Sequence, residues 1–305
     1  MAELANSRTL IVIAGPTAVG KTSLSLDIAK ELNCPILSFD SRQFYKELNI
    51  GTAKPSKKEL SQADHHFINS RSIHDFYTSG MFEKDAIEKL DELFSEHKNV
   101  VAVGGSGLYI DGLCYGIDDI PSDLEVRERI KTRWEKEGLE VLQSELKLKD
   151  PEYFEIADVQ NPRRVMRALE VLEISGKTYT SFRTKTKKNR NFTTIWIGLE
   201  QEIESLYERI NLRVDDMMSK GLLEEVKSFK ELMDLKSLRT VGYQEFEDYL
   251  SGEIDLEKAI ELVKRNSRRY AKRQLLWFRK NKEIKWFNAS ESKDVIAHIR
   301  AINSI

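Results

Sequence analysis

The sequence predicts an α/β fold in which a parallel sheet is flanked by helices and interrupted by a mostly helical insertion. Three observations support this prediction. Over the first 115 residues, short apolar segments alternate with helical patterns, which is typical of parallel sheets. A glycine-rich turn follows the first apolar segment. From about Asp118, short charged helical patterns replace the alternation, until an apolar segment returns at Thr193–Leu199.

The hydrophobic spacing predicts each element of the first part of the chain. Strands are predicted at three short apolar runs, Leu10–Ala14, Ile36–Phe39 and Val100–Val103. A helix is predicted at Lys21–Leu32, because Leu24, Ile28 and Leu32 recur at every fourth position. A second helix is predicted at Glu83–Glu96.

The insertion is predicted to consist of short charged helices that end at Gly138, at Asp150-Pro151 and at Asn161-Pro162. The predicted helices are Asp123–Glu137, Leu139–Leu148, Tyr153–Asp158 and Arg163–Ile174. A loop at Arg183–Arg190, with five basic residues and no acidic one, precedes the strand at Thr193–Leu199.

The last third of the chain is predicted to be mostly helical. A long helix runs from Leu256 to about Lys280, and a strand at Ile284–Phe287 and a closing helix follow. Because strand patterns resume after the insertion, we predict one core from residues 1–117 and 193–305, with residues 118–192 as a helical insertion domain.

Composition and charge limit the function classes. Lys and Arg number 48 against 50 Asp and Glu, a net charge of −2, which excludes a uniformly basic nucleic-acid binder. The segment from Lys258 to Lys285 nevertheless carries eleven basic residues and two acidic ones. Arg265, Arg269 and the pair Lys272 and Arg273 fall on one helix face, as a phosphate-binding surface requires. A solvated surface helix, and for Arg183–Arg190 a solvated linker, are the alternatives.

No apolar run approaches the roughly 18 residues of a membrane helix, and the start of the chain is too polar for a signal peptide, so we expect a cytoplasmic protein. Cys34 and Cys114 are expected to be buried reduced thiols. Adjacent His65 and His66 lack a third spaced ligand, which favours a structural role over a metal site.

The glycine-rich turn fits the phosphate-binding pattern G-x-x-x-x-G-K-[ST] and lies between a strand and a helix, as in P-loop NTPase-like sheets. Its residues are Gly15, Pro16, Thr17, Ala18, Val19, Gly20, Lys21 and Thr22. In such a turn the backbone N–H groups and the lysine bind a diphosphate, and the Thr22 hydroxyl is a candidate Mg²⁺ ligand. The turn therefore predicts a phosphorylated ligand without identifying it.

The acidic residue of an ordinary P-loop NTPase is missing from its usual place. Val100–Val103 leads into Gly104–Gly107 with no carboxylate, whereas Ile36–Phe39 ends at Asp40. If Asp40 lies at the carboxyl edge of the sheet beside the glycine-rich turn, it can act as a general base. A Mg²⁺ ligand and a structural cap are the competing roles.

From Asp40 onward the chain contains a series of ordered sequence blocks. These blocks are Asp40–Tyr45, Asn49–Pro55, Asp64–Phe67, Val103–Tyr109, Leu124–Arg127, Asn161–Glu170, Ser175–Lys177, Arg239–Tyr243, Tyr270–Gln274 and Trp277–Arg279. Together with the glycine-rich turn, they resemble the tRNA dimethylallyltransferases, also called tRNA isopentenyltransferases, of the bacterial type, over roughly Leu10 to Phe287. So many ordered blocks are far more specific than the glycine-rich turn alone.

The resemblance implies transfer of a dimethylallyl group from dimethylallyl diphosphate to the exocyclic amine of the adenine just 3′ of the anticodon. The glycine-rich turn would then hold the donor's diphosphate, with Lys21 and Mg²⁺ stabilising it as it leaves. Asp40 matches the family's general base, and Ser41, Arg42 and Gln43 would hold the extruded adenine. Ser106 stands where the family usually has threonine, and its hydroxyl is expected to make a polar contact to the tRNA. Asp40, Lys21 and Ser106 are the predicted catalytic residues.

Because the adenine must be flipped out of its stack, the resemblance also implies contacts to the anticodon stem-loop of tRNA, which the insertion of residues 118–192 would help to supply. It implies the following set of tRNA-contacting residues in this chain. They are Arg127, Arg163, Arg164, Arg167, Arg239, Thr240, Val241, Gly242, Tyr243 and Gln244. Val165 and Met166 are expected to be core or scaffold residues, and Leu262, Tyr270, Trp277 and Phe278 core residues. We expect a monomer without membrane contact.

Three other functions stay open at this point. A related enzyme could prenylate free adenine nucleotides, although the insertion and the basic helix would then have no use. A P-loop small-molecule kinase or RNA-binding NTPase would bind ATP and release phosphate. A non-catalytic tRNA-binding protein would bind tRNA alone.

Overall fold

A computed structural model of the chain describes residues 8–184 and 186–303. The predicted loop Arg183–Arg190 therefore contains one base, Lys185, that lies outside the described residues, as do the first seven residues of the predicted core. A six-stranded sheet, with every strand pairing parallel, has the spatial order β3-β2-β4-β1-β5-β6. The strands are β1 (Thr9–Ala14), β2 (Ile36–Ser38), β3 (His65–His66), β4 (Asn99–Val103), β5 (Thr193–Glu200) and β6 (Lys285–Asn288).

Helices connect and cover these strands. They are α1 (Lys21–Leu32), α2 (Lys57–Leu60), α3 (Ser79–Glu96), α4 (Gly107–Tyr115), α5 (Leu124–Glu137), α6 (Leu139–Lys149), α7 (Pro151–Ile156), α8 (Pro162–Ser175), α9 (Tyr179–Phe182), α10 (Ile203–Ser219), α11 (Leu222–Ser228), α12 (Glu247–Leu250), α13 (Leu256–Phe278) and α14 (Ser292–Asn303). Short 3₁₀ turns occupy Lys230–Leu232 and Gln244–Phe246.

Side-chain caps fix several helix starts where the sequence predicts them. Asp123 accepts a hydrogen bond from the Val126 N–H at the start of α5, and Asp255 caps α13 through the Lys258 N–H. Asn161 caps α8 just before a proline at the first helical position. The helices therefore begin where polar residues can satisfy their free N–H groups.

The chain divides into two compact units. One consists of residues 1–114 and 190–305 and contains the sheet; the other, residues 115–189, contains α5–α9. These bounds lie three residues before the predicted ones at either end of the insertion. The second unit has its own core, in which Val165 is fully buried and Met166 packs at the edge.

The elements agree closely with the prediction, and the α/β class is confirmed. The predicted strand Ile36–Phe39 is one residue shorter, and the helix predicted from Glu83 starts at Ser79, because Thr78 caps it through the Met81 N–H. The edge strand β3 was not predicted, since its two residues are too short for a detectable pattern. Cys34 and Cys114 are buried, as expected.

Within the insertion, the four arginines predicted to contact tRNA separate into two pairs. Arg127 donates two hydrogen bonds to Glu170, at 3.0 and 3.1 Å, and Arg167 forms an ion pair with the same carboxylate at 2.9 Å. Glu170 is only 1% exposed, so both arginines neutralise a buried charge. Arg163 and Arg164 are exposed and lie outside this cluster. The structure thus gives Arg127 and Arg167 a structural role that the sequence did not predict.

We expect Glu170→Gln to destabilise the insertion by about 2 kcal/mol, because two arginines lose a shared counter-charge and solvent screens only part of that loss. Hydrogen exchange of the α5 and α8 amides measures the effect. Glu173→Gln is the matched control, because Glu173 lies on the same helix and pairs with Arg129 at the surface. Equal loss of protection in the two variants would contradict this role of Glu170.

Candidate functional site

The candidate site lies where three neighbouring strands end. Ile13 of β1 and Ser38 of β2 are both in register with Val103 of β4, so the three strands end at one level. The segments that follow them are the glycine-rich turn, the turn starting at Asp40 and the turn starting at Gly104. All three therefore meet at the carboxyl edge of the sheet, where open α/β folds bind ligands.

The backbone of the glycine-rich turn explains its glycines. Gly15 has φ +148°, and a Cβ there would lie 2.7 Å from the Leu199 carbonyl oxygen. Gly20 has φ +110° and precedes the first residue of α1. Both positions exclude a side chain, so the loop can place its N–H groups and the α1 N-terminus around one anion.

Lys21 lies inside this loop. Its Nζ donates to the carbonyl oxygens of Gly15, at 2.9 Å, and Pro16, at 2.7 Å. Burial lowers the pKa of Lys21 to about 7; Asp40 opposes this shift and Arg213 adds to it. The ammonium is therefore close to losing its proton near neutral pH.

Asp40 is held by contacts on both sides. The Phe39 N–H donates to the Val103 carbonyl at 2.9 Å, and the Asp40 Oδ1 accepts from the Arg42 N–H at 3.0 Å. Gly104 allows this approach, because a Cβ on it would lie 2.9 Å from the Asp40 nitrogen. The carboxylate is half-buried at the edge of the sheet, as predicted.

Ser106 supports the same turn. Its Oγ accepts from the Ser41 N–H at 3.0 Å and bonds to the Ser41 hydroxyl at 3.0 Å. The hydroxyl predicted to contact tRNA therefore already has partners in the residue after Asp40.

Two adjacent cavities share Thr17, Asp40 and Arg213 in their walls. The larger, about 270 Å³, is lined by the residues from Thr17 to Thr22, and Ser38, Gln43 and Arg209 are also in its wall. The smaller, about 100 Å³, is lined by Arg42, Gly51, Tyr270 and the segment from Thr240 to Gly242. Asp40 thus lines both the cavity built from the glycine-rich turn and a second cavity.

The sequence patterns did not identify Arg209 and Arg213 as candidate site residues. They lie four residues apart on α10, the helix that follows β5, and β5 is paired with β1. The signal that could have identified them is two arginines at i and i+4 on a helix that follows a strand next to β1. Arg213 brings a guanidinium to both cavities, and burial lowers its pKa.

Residues predicted near Asp40 mostly line these cavities. Arg42 also donates to the Ser237 carbonyl at 3.2 Å, and Gln43 donates to the carbonyls of Thr52 and Ala53. Thr240, Val241 and Gly242 line the smaller cavity.

The other residues of the predicted segment Arg239–Gln244 bond to protein groups. Tyr243 is fully buried, and its hydroxyl donates to Glu225 at 2.7 Å, so its side chain is a core residue and not a surface contact. Arg239 is exposed but forms ion pairs with Asp234 and Glu247, and Gln244 donates to Glu245. The sequence could not distinguish these cases, because burial depends on distant segments.

The long helix α13 presents five exposed bases, Lys258, Arg265, Arg269, Lys272 and Arg273. Within the described residues none of them pairs with a carboxylate, whereas Lys264 binds Asp215. On the aromatic side of this helix the prediction of four core residues was wrong in part. Tyr270 lines the smaller cavity and Trp277 is 40% exposed, while Phe278 is buried.

Few side chains of the described residues are placed to bind a metal ion. His65 and His66 bond to Ala63 and Asp64, and no cluster of three His, Cys, Asp or Glu side chains occurs in the described part of the chain. Thr22 lines the larger cavity, where a cation bound chiefly by diphosphate oxygens and water would need few protein ligands.

Among residues 8–184 and 186–303, no helix has the length and apolar character needed to cross a bilayer.

Comparison with known proteins supplies an independent finding. A model of the IPP transferase family matches residues 43–281. A tRNA dimethylallyltransferase 1 from Bacteroides fragilis is 48% identical over 97% of this chain and 98% of its own length. A tRNA dimethylallyltransferase from Christiangramia forsetii is 50% identical, with 97% and 98% covered.

Solved structures give the same result. The full-length tRNA isopentenylpyrophosphate transferase from Bacillus halodurans has a TM-score of 0.72 and 34% identity, with 97% of each chain covered. A eukaryotic dimethylallyltransferase described as acting on tRNA has a TM-score of 0.80 and 28% identity, with 97% of this chain and 78% of that chain covered.

We expect binding of inorganic diphosphate to take up a proton through Lys21. The anion favours the charged ammonium and raises a pKa that starts at about 7, so affinity should fall as pH rises above 7. Titration calorimetry in buffers of different ionisation enthalpy measures the uptake. Lys21→Arg keeps the charge without titrating, so its proton uptake should be smaller than that of the wild type. Equal uptake by both proteins would exclude Lys21 as its source.

Proposed function

The chain belongs to the IPP transferase family, and on that basis we propose that it transfers a dimethylallyl group from dimethylallyl diphosphate to tRNA. The acceptor is the exocyclic amine of the adenine on the 3′ side of the anticodon, and the second product is diphosphate. The observation that carries the proposal is that Asp40 lines two adjacent cavities, one of which is built from the glycine-rich turn.

The larger cavity suits the donor. Its N–H groups, Lys21 and the two arginines of α10 converge on one space, and all of them favour negative charge. The reaction breaks the bond between the allylic carbon and a diphosphate oxygen, and negative charge grows on the leaving group. These groups stabilise that charge, which lowers the barrier without any phosphoryl transfer.

The smaller cavity suits the adenine. Asp40 would accept the proton that the exocyclic amine loses as its nitrogen bonds to the allylic carbon. Arg42, Tyr270 and the segment from Thr240 to Gly242 would hold the base there. The adenine must leave its stack to enter, and contacts to the tRNA backbone offset the cost of a few kcal/mol.

A magnesium ion would bind beside the glycine-rich turn, held by the Thr22 hydroxyl and by oxygens of the diphosphate. When bound, it would neutralise part of the leaving group's charge.

The surface groups proposed to contact tRNA are exposed basic side chains of the insertion and of α13. Arg163, Arg164, Arg265, Arg269, Lys272 and Arg273 have no carboxylate partner among the described residues. Such groups bind phosphates by releasing counterions. We propose that the enzyme acts in the cytoplasm, where tRNA is modified, and that it acts as a monomer.

Mass spectrometry of tRNA digests after incubation with dimethylallyl diphosphate tests the function. We expect one added five-carbon unit on the adenosine beside the anticodon, with release of diphosphate. AMP in place of tRNA should remain unmodified, and a product on AMP would instead indicate an enzyme of free nucleotides. ATP turnover with release of phosphate would indicate a kinase or NTPase.

Replacement of the proposed base tests its role separately from binding. Asp40→Asn keeps the size of the side chain and its bond to the Arg42 N–H, but the amide cannot accept the proton at neutral pH. We expect single-turnover transfer to fall by a factor of about 100 or more, within the usual range for a general base, while tRNA affinity changes little. An unchanged transfer rate would rule out Asp40 as the base.

A further inference from the structure

One buried side chain joins two of the three segments that form the site. Gln274 lies on α13, is 5% exposed, and is more than 160 residues from either segment along the chain. Its Oε1 accepts a hydrogen bond from the Thr17 N–H at 2.8 Å, and its Nε2 donates to the Gly105 carbonyl at 2.9 Å. Thr17 belongs to the glycine-rich turn, and Gly105 belongs to the turn after β4.

The two partners fix the orientation of the amide. The Thr17 N–H can only donate and the Gly105 carbonyl can only accept, so the flipped amide would lose both bonds. Burial makes the loss of either bond expensive, because water cannot replace it. Gln274 therefore sets the separation of the two turns with little freedom.

The Gln274 side chain packs closely against Gly105. A Cβ on Gly105 would lie 2.1 Å from the Gln274 Nε2. Nearby on α13, Trp277 covers Gly107 in the same manner, because a Cβ on Gly107 would lie 2.3 Å from the indole ring, and the Trp277 Nε1 donates to Asp111 at 2.8 Å. The helix thus lies close to Gly105 in the turn after β4 and to Gly107 at the start of α4.

Both segments lead directly to reacting groups. Thr17 lines the two cavities that Asp40 also lines. Gly105 precedes Ser106, whose Oγ accepts from the N–H of Ser41, the residue after Asp40. A shift of either turn would therefore change the distance between the diphosphate-binding loop and the proposed base.

We propose that Gln274 is a positioning residue, which holds the glycine-rich turn and the turn that supports Asp40 at the separation required for transfer. This inference rests on the proposed function. Gln274 acts through Thr17 and Gly105 and does not contact either substrate itself.

Gln274→Met tests the proposal, because methionine preserves length and volume but makes neither hydrogen bond. Since misplacement of reacting groups by about 1 Å can cost a factor of about 100, we expect single-turnover transfer to fall at least about tenfold. The tRNA dissociation constant should change by less than about threefold, because the exposed bases of α13 stay in place.

A second-site experiment separates positioning from general damage. Gly105→Ala should slow transfer by pushing the amide away, whereas the same substitution in a Gln274→Ala background has space for the methyl group and should slow it no further. Independent, multiplicative effects of the two substitutions would show that they do not act through one contact, and would contradict the proposal.

Gln143→Met is the matched control, since Gln143 is a half-buried glutamine of the insertion whose Nε2 donates to the Val159 carbonyl at 2.8 Å. It should lower thermal stability without slowing transfer. If Gln274→Met likewise lowers only stability, Gln274 is merely structural and the proposal is wrong.

A wild-type protein that prenylates no tRNA would contradict the proposed function, and titration with inorganic diphosphate then tests Gln274 independently. Weaker binding to Gln274→Met by about fivefold or more, with unchanged binding to Gln143→Met, would support the positioning role. Equal affinity in all three proteins would overturn it.

Discussion

The parallel pairing of β2, β4 and β1 is the constraint on which the site depends. Because Ser38, Val103 and Ile13 end at one level, the three segments that follow must share the same small region. Each segment brings one component, namely a loop for an anion, a carboxylate and a supporting hydroxyl. Parallel strands require long connections, so residues distant in the sequence meet here without any local signal.

The charges at this edge balance each other over short distances. Arg213 disfavours the charged form of Lys21, while Asp40 favours the charged form of both bases. A site of this kind does not gain its positive potential from net protein charge, which is −2. It gains it from Lys21, Arg209 and Arg213 and from the oriented N–H groups of the glycine-rich turn and α1. Near-neutral composition is therefore compatible with a strong local preference for diphosphate.

Sequence patterns predicted those parts of the fold and the site that short spacing determines. Strand ends, the glycine-rich turn and Asp40 follow from hydrophobic runs and from the residues directly after them. Arg213 and Gln274 were not predicted, because their positions depend on how α10 and α13 pack on the sheet. Tyr243 was assigned to tRNA from the resemblance, while its burial and its hydrogen bond to Glu225 place its side chain in the core. Arg127 was assigned in the same way, and its hydrogen bonds to the buried Glu170 add a structural role that the motif does not record.

The helix α13 serves two surfaces at once, and its periodicity explains how. Tyr270 and Gln274 are four residues apart and so lie on one face, towards the cavities, whereas Arg269, Lys272 and Arg273 lie on the exposed face. A regular helix moves largely as a unit, because each turn is bonded to the next. The basic face and the side chain that bonds both Thr17 and Gly105 therefore belong to one rigid element.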